Sequence, residues 1–306
     1  ELREDLRRRD FTINAMAYSH ETGIVDIFGG AEDLAARRIR CVGDAGERFT
    51  EDALRILRAV RFSAQLGFSI EKKTWQALCE LAPSLVHVSK ERVQVELTKT
   101  LLSDRPEFIW KTEAAGLAPY ISKTFPEVFA AWKKQKSCAK QRLEEKVYSK
   151  DVPAADKDAI KTETVAQQGH MFVKHECETD MAGEISAAAA HLPAEKALRW
   201  SYLLAPAGEG TCVRVLRELK MDNDTIDKAK ILSRFAFMQM EPEESAVRHA
   251  MSAMEDKVFD WLLLLQEVLM PERMDAVEMV RSLARQIRER GDCIRLKTLA
   301  VTGKDL

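Results

Sequence analysis

Four charged residues recur at every third position between residues 52 and 61 and could bind a nucleotide. They are Asp52, Arg55, Arg58 and Arg61, here called the polar row. On a helix rising ~1.5 Å per residue, the row would be ~13 Å long, about the length of an extended nucleoside triphosphate. A carboxylate beside a guanidinium suits the edge of a base, and further arginines suit phosphates. The alternative is a solvated face on which Asp52 only complements the helix dipole.

Arginine also clusters upstream, at Arg7–Asp10. Three arginines before an apolar stretch could clamp a triphosphate, and the alternative is a basic turn with Asp10 as N-cap. Residues 1–61 contain eleven arginines and no lysine. Arginine is preferred where phosphates or base edges accept paired hydrogen bonds, although compositional drift would also explain the bias.

The elements that would position these residues begin with an α/β segment. Phe11–Tyr18 is predicted as a short helix or a strand, because periodicity does not separate the two at this length. Gly23–Phe28 is predicted as a strand that a glycine pair ends, followed by a short helix and a second strand at Arg38–Val42. We expect these two strands to pair as an edge of an α/β domain. The glycine pair is weak evidence for a phosphate-binding loop, because a turn that joins a strand to a helix also requires glycines.

The polar row is predicted to lie on one continuous helix. Thr50 is a favoured N-cap, so we expect the helix to run to about Gln65 and to end before Gly67. Apolar residues fall on its opposite face: Ala53, Ile56, Leu57, Val60 and Ala64. Further helices are predicted at residues 71–82, 90–103, 106–115, 125–146, 180–191, 194–205, 211–219, 224–238, 243–269 and 271–290. The polar residues 149–175 are predicted as a linker.

Composition narrows the class of protein. Of 306 residues, 46% are apolar and 31% are charged, and the net charge is −2, which argues against a globally basic nucleic-acid binder. No apolar run reaches the ~18 residues that span a bilayer, and no signal peptide is visible. The six cysteines form no CxxC pair. We therefore expect a cytoplasmic protein with free thiols, without a membrane or a disulfide-linked partner.

Three front motifs follow one another in the chain: Arg-Arg-Asp-Phe-Thr-Ile-Asn-Ala, Asp-x-x-Gly-Gly-x-x-Asp-Leu and Glu-Asp-x-x-Arg-x-x-Arg. Together they resemble the class II tRNA nucleotidyltransferases, the CCA-adding enzymes, whose head motifs bacterial poly(A) polymerases share. The resemblance is dense over residues 7–67. It continues at Ser89–Lys99, which is similar to the family's neck, and at residues 296–306, which are similar to its tail.

The resemblance implies roles for the first two motifs. Arg9 would bind the incoming nucleotide, with Arg8 and Asp10 as close neighbours. The segment Asp26–Leu34 would link head and neck and flex during CCA addition.

The resemblance gives the polar row a role at the base and the phosphates. Asp52 and Arg55 would act as an amino-acid template that pairs with the base of CTP or ATP. Arg58 and Arg61 would complete the nucleotide site. Ala53 stands where many members of the family carry proline.

The family's chemistry also needs an Asp-x-Asp pair on a strand upstream of the Arg-Arg-Asp motif. There two Mg²⁺ ions activate the tRNA 3′-hydroxyl and stabilise the leaving pyrophosphate. The chain begins six residues before Arg7. We therefore expect that strand to be missing, the chain to be truncated at both ends, and residues 1–306 alone to be inactive. The pairs Asp156/Asp158 and Asp222/Asp224 are predicted as solvated charge.

Two other kinds of site are disfavoured. His170, His175 and Cys177 could be imagined as metal ligands, but the histidines are five apart, off a common helix face. Many relatives carry a His-Asp pair where this chain has Ala205-Pro206, which disfavours an HD-type phosphohydrolase. The lysines at positions 133, 134 and 136 could contact phosphates but are predicted as a solvated face.

We predict an α+β, mostly α fold. It would comprise the remnant of an α/β nucleotidyltransferase head at 1–48, an all-helical neck at 49–115 that recognises the base, and a helical body and partial tail at 116–306 that bind tRNA. The resemblance implies a tRNA nucleotidyltransferase that transfers CMP and AMP from CTP and ATP to the tRNA 3′ end. A poly(A) polymerase, a split enzyme adding only CC or only A, and a non-catalytic RNA-binding module stay open.

Overall fold

The computed structural model describes residues 1–21, 23–148 and 189–294. The front of the chain carries two small sheets between short helices. Its elements are α1 (Leu2–Arg7), a 3₁₀ turn (Thr12–Asn14), β1 (Met16–Ser19), β2 (Gly23–Asp26), α2 (Gly30–Ala35) and β3 (Arg38–Ile39). Strands β1 and β2 are antiparallel, with Met16 opposite Asp26, whereas β3 lies parallel to β4 (Ser69–Ile70).

The predicted pairing of the two front strands is wrong. Strand β2 pairs with β1, because a short turn returns the chain antiparallel beside it. Strand β3 follows helix α2, and its parallel partner is β4, which comes after Gly67 in the chain. It is also shorter than predicted, and Cys41 continues it only through an isolated bridge to Phe11.

The predicted single helix from Thr50 to Gln65 is two helices, α3 (Ala45–Glu51) and α4 (Leu54–Leu66). Asp44, not Thr50, caps α3, since its Oδ1 accepts from Glu47 N at 2.9 Å. The backbone is extended at Asp52, which lies between the two helices. Its Oδ1 accepts from Leu54 N at 3.1 Å and so caps the first residue of α4. As predicted, α4 ends before Gly67, whose φ is +66°.

The rest of the described chain is almost entirely helical. Helices α5 (Lys72–Glu80), α6 (Lys90–Leu101), α7 (Lys111–Ala114), α8 (Ala118–Ile121) and α9 (Phe125–Tyr148) come first. Further helices are Lys196–Leu204, Gly208–Glu218, Asn223–Phe235, Glu244–Ser252, Asp256–Leu269 and Met274–Glu289. The prediction at 243–269 is wrong in one respect, because a break around Ser252–Asp256 divides it into two helices. The predicted helix at 106–115 begins as a 3₁₀ helix, Pro106–Trp110.

One apolar core connects the front of the chain to its far helices. The buried apolar cluster extends from Phe11 to Ile287, and α4 contributes Ile56 and Val60 from the face predicted to be apolar. Helix α6 packs against α4 and also against Lys196–Leu204. The fold is therefore α+β and mostly α, as predicted. In the described parts of the chain, no helix is long and apolar enough to cross a membrane. The predicted linker at 149–175 lies outside the described residues.

Candidate functional site

A cavity of about 530 Å³ lies where α1, the 3₁₀ turn, the α3–α4 break and the start of α6 meet. Its lining comprises Arg8, Arg9, Asp10, Asn14, Asp52, Leu54, Arg55, Arg58 and Arg92. Six of the seven residues predicted from the sequence thus line one cavity. Five guanidinium groups and two carboxylates give it a strongly cationic lining.

Asp10 connects the two predicted clusters. Its carboxylate is 7% exposed and accepts from Arg58 Nε at 2.7 Å. The other carboxylate oxygen accepts from Phe11 N at 2.9 Å and Asn14 Nδ2 at 3.3 Å. Asp10 therefore fixes Arg58 against the 3₁₀ turn, and this bond joins α4 to the front segment.

Arg8 and Arg9 form the open side of the pocket. Arg8 is 79% exposed at its side chain and donates through Nε to Asp5 at 2.8 Å. Arg9 donates to the carbonyl of Asn14 at 2.8 Å and lies 3.3 Å from the same aspartate. Both keep unused donors, because a guanidinium has five N–H groups.

Asp52 pairs with Arg92 rather than with Arg55. Its Oδ2 accepts from Arg92 Nη2 at 2.9 Å, while Oδ1 caps Leu54. Arg92 is a pocket residue that the sequence analysis missed. The sequence did contain a signal for Arg92. A cation in the first turn of a helix interacts unfavourably with the helix dipole, which indicates that another interaction favours an arginine at this position.

Arg55 is fixed by three hydrogen bonds at the edge of the pocket. Its Nη1 donates to Glu51 at 2.8 Å and to the carbonyl of Arg48 at 3.0 Å. Its Nη2 donates to the carbonyl of Arg8 at 2.8 Å. Two of its five N–H donors remain for a ligand, on a side chain held by α3 and by the residue that follows α1.

Arg61, the last residue of the polar row, does not line the pocket. It is 8% exposed, and its Nε donates to Glu96 of α6 at 2.5 Å. Nη1 donates to Gln65 at 2.7 Å, and the guanidinium lies 3.9 Å from the ring centroid of Phe62. The expected contribution of Arg61 to a nucleotide site is therefore corrected: it forms a buried ion pair between α4 and α6.

The second front motif forms a corner, not an open phosphate loop. The Asp26 carboxylate accepts from Gly30 N and Ala31 N, each at 2.8 Å, which lowers its pKa and occupies the N–H groups that a phosphate would need. A Cβ on Gly30 would lie 2.3 Å from the carbonyl oxygen of Thr12, so glycine is required for this close approach.

A buried carboxylate holds this corner to the 3₁₀ turn. Asp33 is fully buried and accepts from Thr12 Oγ1 at 2.6 Å and from Arg38 Nε and Arg40 Nε at 2.7 Å each. Burial works to raise its pKa, but these hydrogen bonds outweigh burial and lower it.

The described residues offer no candidate metal centre, since no three His, Cys, Asp or Glu side chains among them cluster. Asp222 caps a helix and pairs with Lys196, and Asp224 pairs with Lys228 at 2.7 Å, so both are in surface ion pairs. Asp156, Asp158, His170, His175 and Cys177 lie outside the described residues. Ala205 and Pro206 form a 3₁₀ turn.

The front of the chain is similar to known proteins. Residues 1–40 match the poly A polymerase head domain, and residues 67–123 match a probable RNA and SrmB-binding site of polymerase A. The CCA-adding enzyme of Leuconostoc mesenteroides is 58% identical over 104 residues, 34% of this chain and 26% of that enzyme. That of Enterococcus faecalis is 48% identical over 120 residues, 39% of this chain and 28% of that enzyme.

The whole fold has a similar counterpart. The crystal structure of the Bacillus stearothermophilus CCA-adding enzyme, in complex with CTP, aligns with a TM-score of 0.66 at 26% identity. The alignment covers 100% of this chain and 64% of that one. Parts of this chain are thus similar to poly A polymerase domains and to CCA-adding enzymes, and its fold is similar to that of the Bacillus enzyme. Its matches span about a quarter of the length of the curated relatives.

Proposed function

We propose that the protein is a CCA-adding tRNA nucleotidyltransferase and that the arginine-lined pocket holds the incoming nucleotide. It would transfer CMP and AMP from CTP and ATP to the tRNA 3′ end with release of pyrophosphate. The observation that carries this proposal is the convergence of five arginines and Asp52 on one cavity. The CTP in the similar Bacillus enzyme supports it.

In this proposal, Arg8, Arg9 and Arg58 would bind the phosphates. They lie at the open and inner sides of the cavity, and charge-assisted hydrogen bonds from arginine to phosphate are among the strongest in proteins. Asp10 orients Arg58 through the 2.7 Å bond, so that Arg58 needs little reorganisation when a nucleotide enters.

In this proposal, Asp52 and Arg55 would select the base. Cytosine and adenine each present an exocyclic amino donor beside a ring acceptor, whereas uracil and guanine present an oxygen acceptor there. A carboxylate acceptor with a guanidinium donor therefore matches CTP and ATP and repels UTP and GTP. Arg92 holds the Asp52 carboxylate in place at 2.9 Å.

Other parts of the proposal rest on the similarity to CCA-adding enzymes. Residues 1–48 would be the nucleotidyltransferase head, 49–115 the neck, and 116–306 the tRNA-binding body and tail. The reaction would take place in the cytoplasm and use Mg²⁺ at carboxylates other than the described ones.

The proposal is tested by titrating the chain separately with CTP, ATP, UTP and GTP. CTP and ATP should bind more tightly than UTP and GTP by about 5- to 150-fold, corresponding to ~1–3 kcal/mol for a base-edge contact. Equal affinity for all four nucleotides would contradict base selection in this pocket. Absence of binding would instead favour a non-catalytic RNA-binding module.

A poly(A) polymerase is the second candidate, because the front of the chain matches a poly A polymerase head domain. The same titration separates the two. Tight binding of both CTP and ATP supports CCA addition, whereas a strong preference for ATP alone supports poly(A) synthesis or an enzyme that adds only A.

A further inference from the structure

Charged side chains from two distant helices hold the turn between α8 and α9. This turn, Tyr120–Phe125 and hereafter the junction, connects the helices around the pocket to the long helix α9. Ser122 and Thr124 are buried in it. Backbone groups that are buried at such a turn need partners, because unpaired ones are costly.

Lys90 holds the α8 side of the junction. Its Nζ donates to the carbonyl of Tyr120 at 2.9 Å and to that of Ile121 at 2.8 Å. These carbonyls lie at the C-terminal end of α8, where a cation is favoured. The side chain comes from α6, more than 25 residues earlier in the chain, so this contact depends on the tertiary fold.

Glu218 holds the α9 side. Its carboxylate accepts from Thr124 Oγ1 at 2.6 Å and from Thr124 N at 3.2 Å, just before the first turn of α9. An anion is favoured at that end of a helix. Glu218 is the last residue of the helix Gly208–Glu218, which belongs to the far part of the fold.

The same turn of α6 that carries Lys90 also reaches the pocket. Lys90 is the first residue of α6 and Arg92 the third, with Ser89 capping the helix. Arg92 donates to Asp52 at 2.9 Å. A continuous path of hydrogen bonds and helix backbone thus leads from Glu218 through the junction and Lys90 to Asp52.

We propose that Lys90 and Glu218 clamp the junction and thereby position Arg92 against Asp52, so that the placement of the body helices influences nucleotide binding. Lys90 and Glu218 are positioning residues, since neither lines the pocket. The proposal rests on the proposed function only in taking the pocket as a nucleotide site. Hydrogen bonds fix the side chains at both ends of the path, and networks of packed side chains and hydrogen bonds can carry energetic coupling between distant sites.

The first experiment measures CTP affinity. Lys90→Met should weaken CTP binding by about 2- to 30-fold, the range of couplings transmitted through packed networks. Lys90→Arg should restore most of it, because a guanidinium can also donate to both carbonyls. Lys99→Met is the matched control: Lys99 is exposed in the last turn of the same helix, and this variant should bind CTP like the parent. Equal affinities for Lys90→Met and Lys99→Met would overturn the proposal.

The second experiment does not depend on nucleotide. In Glu218→Ala, amide hydrogen exchange should accelerate at Thr124 and also in the first turn of α6. Acceleration confined to the junction would show that the clamp does not reach the pocket and would overturn the proposal. If the parent chain fails to bind CTP, the proposed function fails, whereas the exchange measurement still decides whether the clamp controls α6.

Discussion

Arg58 and Arg61 stand three residues apart on one helix and have opposite environments. The Arg58 side chain is 33% exposed, lines the pocket and pairs with Asp10. The Arg61 side chain is 10% exposed and pairs with Glu96, which is 6% exposed. The ring of Phe62 lies beside both guanidinium groups, 5.3 Å from that of Arg58 and 3.9 Å from that of Arg61.

The different environments of Arg58 and Arg61 show that a small rotation around a helix separates a pocket-lining position from a buried one. Three residues turn a helix by 300°, so each step along the polar row moves 60° around α4. Two steps from Arg55 bring the row from the pocket edge to the face that packs on α6. Regular spacing identifies residues on neighbouring sides of a helix, but it does not identify which neighbour each residue meets.

The largest effect is expected from breaking the buried pair. Arg61→Met leaves the Glu96 carboxylate buried without its cation, which should cost about 3–5 kcal/mol of unfolding free energy, measured by urea denaturation. The double variant Arg61→Met/Glu96→Met should recover most of this loss, because an apolar pair can replace a buried ion pair. A loss below about 1 kcal/mol in the single variant would show that Glu96 is effectively solvated.

The pocket arginine should instead affect ligand binding. Arg58→Met should weaken CTP and ATP alike by about 10- to 150-fold, since a charge-assisted bond contributes ~1.5–3 kcal/mol and both nucleotides carry the same phosphates. Isothermal titration with each nucleotide measures this. Arg214→Met, which removes an exposed arginine paired with Glu127, serves as control and should leave both affinities unchanged. Loss of only one nucleotide would contradict a phosphate role.

A variant of Asp52 tests the proposed selection of the base. Asp52→Ala should relax the preference for CTP and ATP over UTP and GTP by ~1–3 kcal/mol, as measured by competition among the four nucleotides. Asp44→Ala removes a comparable helix cap outside the pocket and costs ~0.5–2 kcal/mol of stability without changing nucleotide preference. If both variants lose stability and keep the preference, Asp52 is only a cap.

The smallest effect is expected at a solvated cation. Lys133 is 47% exposed and pairs with Glu113 at 2.9 Å on the surface. Lys133→Met should change unfolding free energy by less than about 1 kcal/mol and leave CTP affinity unchanged. A drop in CTP affinity would mean that this lysine acts on the pocket, contrary to its prediction as a solvated residue.

The sequence alone was sufficient for the helical character, the strand at Gly23–Asp26 and the apolar face of α4, because these depend on local periodicity. It also indicated six residues that line the pocket. Contacts between distant parts of the chain were not predictable in this way. Glu96 meets Arg61 across 35 positions, and Arg92 meets Asp52 across 40.

The error at Thr50 has a local cause. Thr50 and Asp44 are both favoured N-caps, so the sequence offers two starting points for a helix. The structure uses Asp44, and Thr50 instead donates its hydroxyl to the carbonyl of Gly46 at 2.8 Å inside α3. Helix α3 ends at Glu51, and in the break that follows the Asp52 carboxylate accepts from both Leu54 N and Arg92.

Asp33 has a consequence for how this sequence can diverge. Its buried carboxylate accepts hydrogen bonds from Thr12, Arg38 and Arg40 at once. Replacing Asp33 therefore removes the acceptor of all three, and replacing one of the three leaves the buried carboxylate with fewer donors. Single substitutions at these four positions that leave stability unchanged should therefore be rare. In a library of randomised variants selected for folding, we expect the four positions to be retained together or replaced together, whereas the exposed hairpin residues Tyr18 and Ile24 should vary without regard to these four.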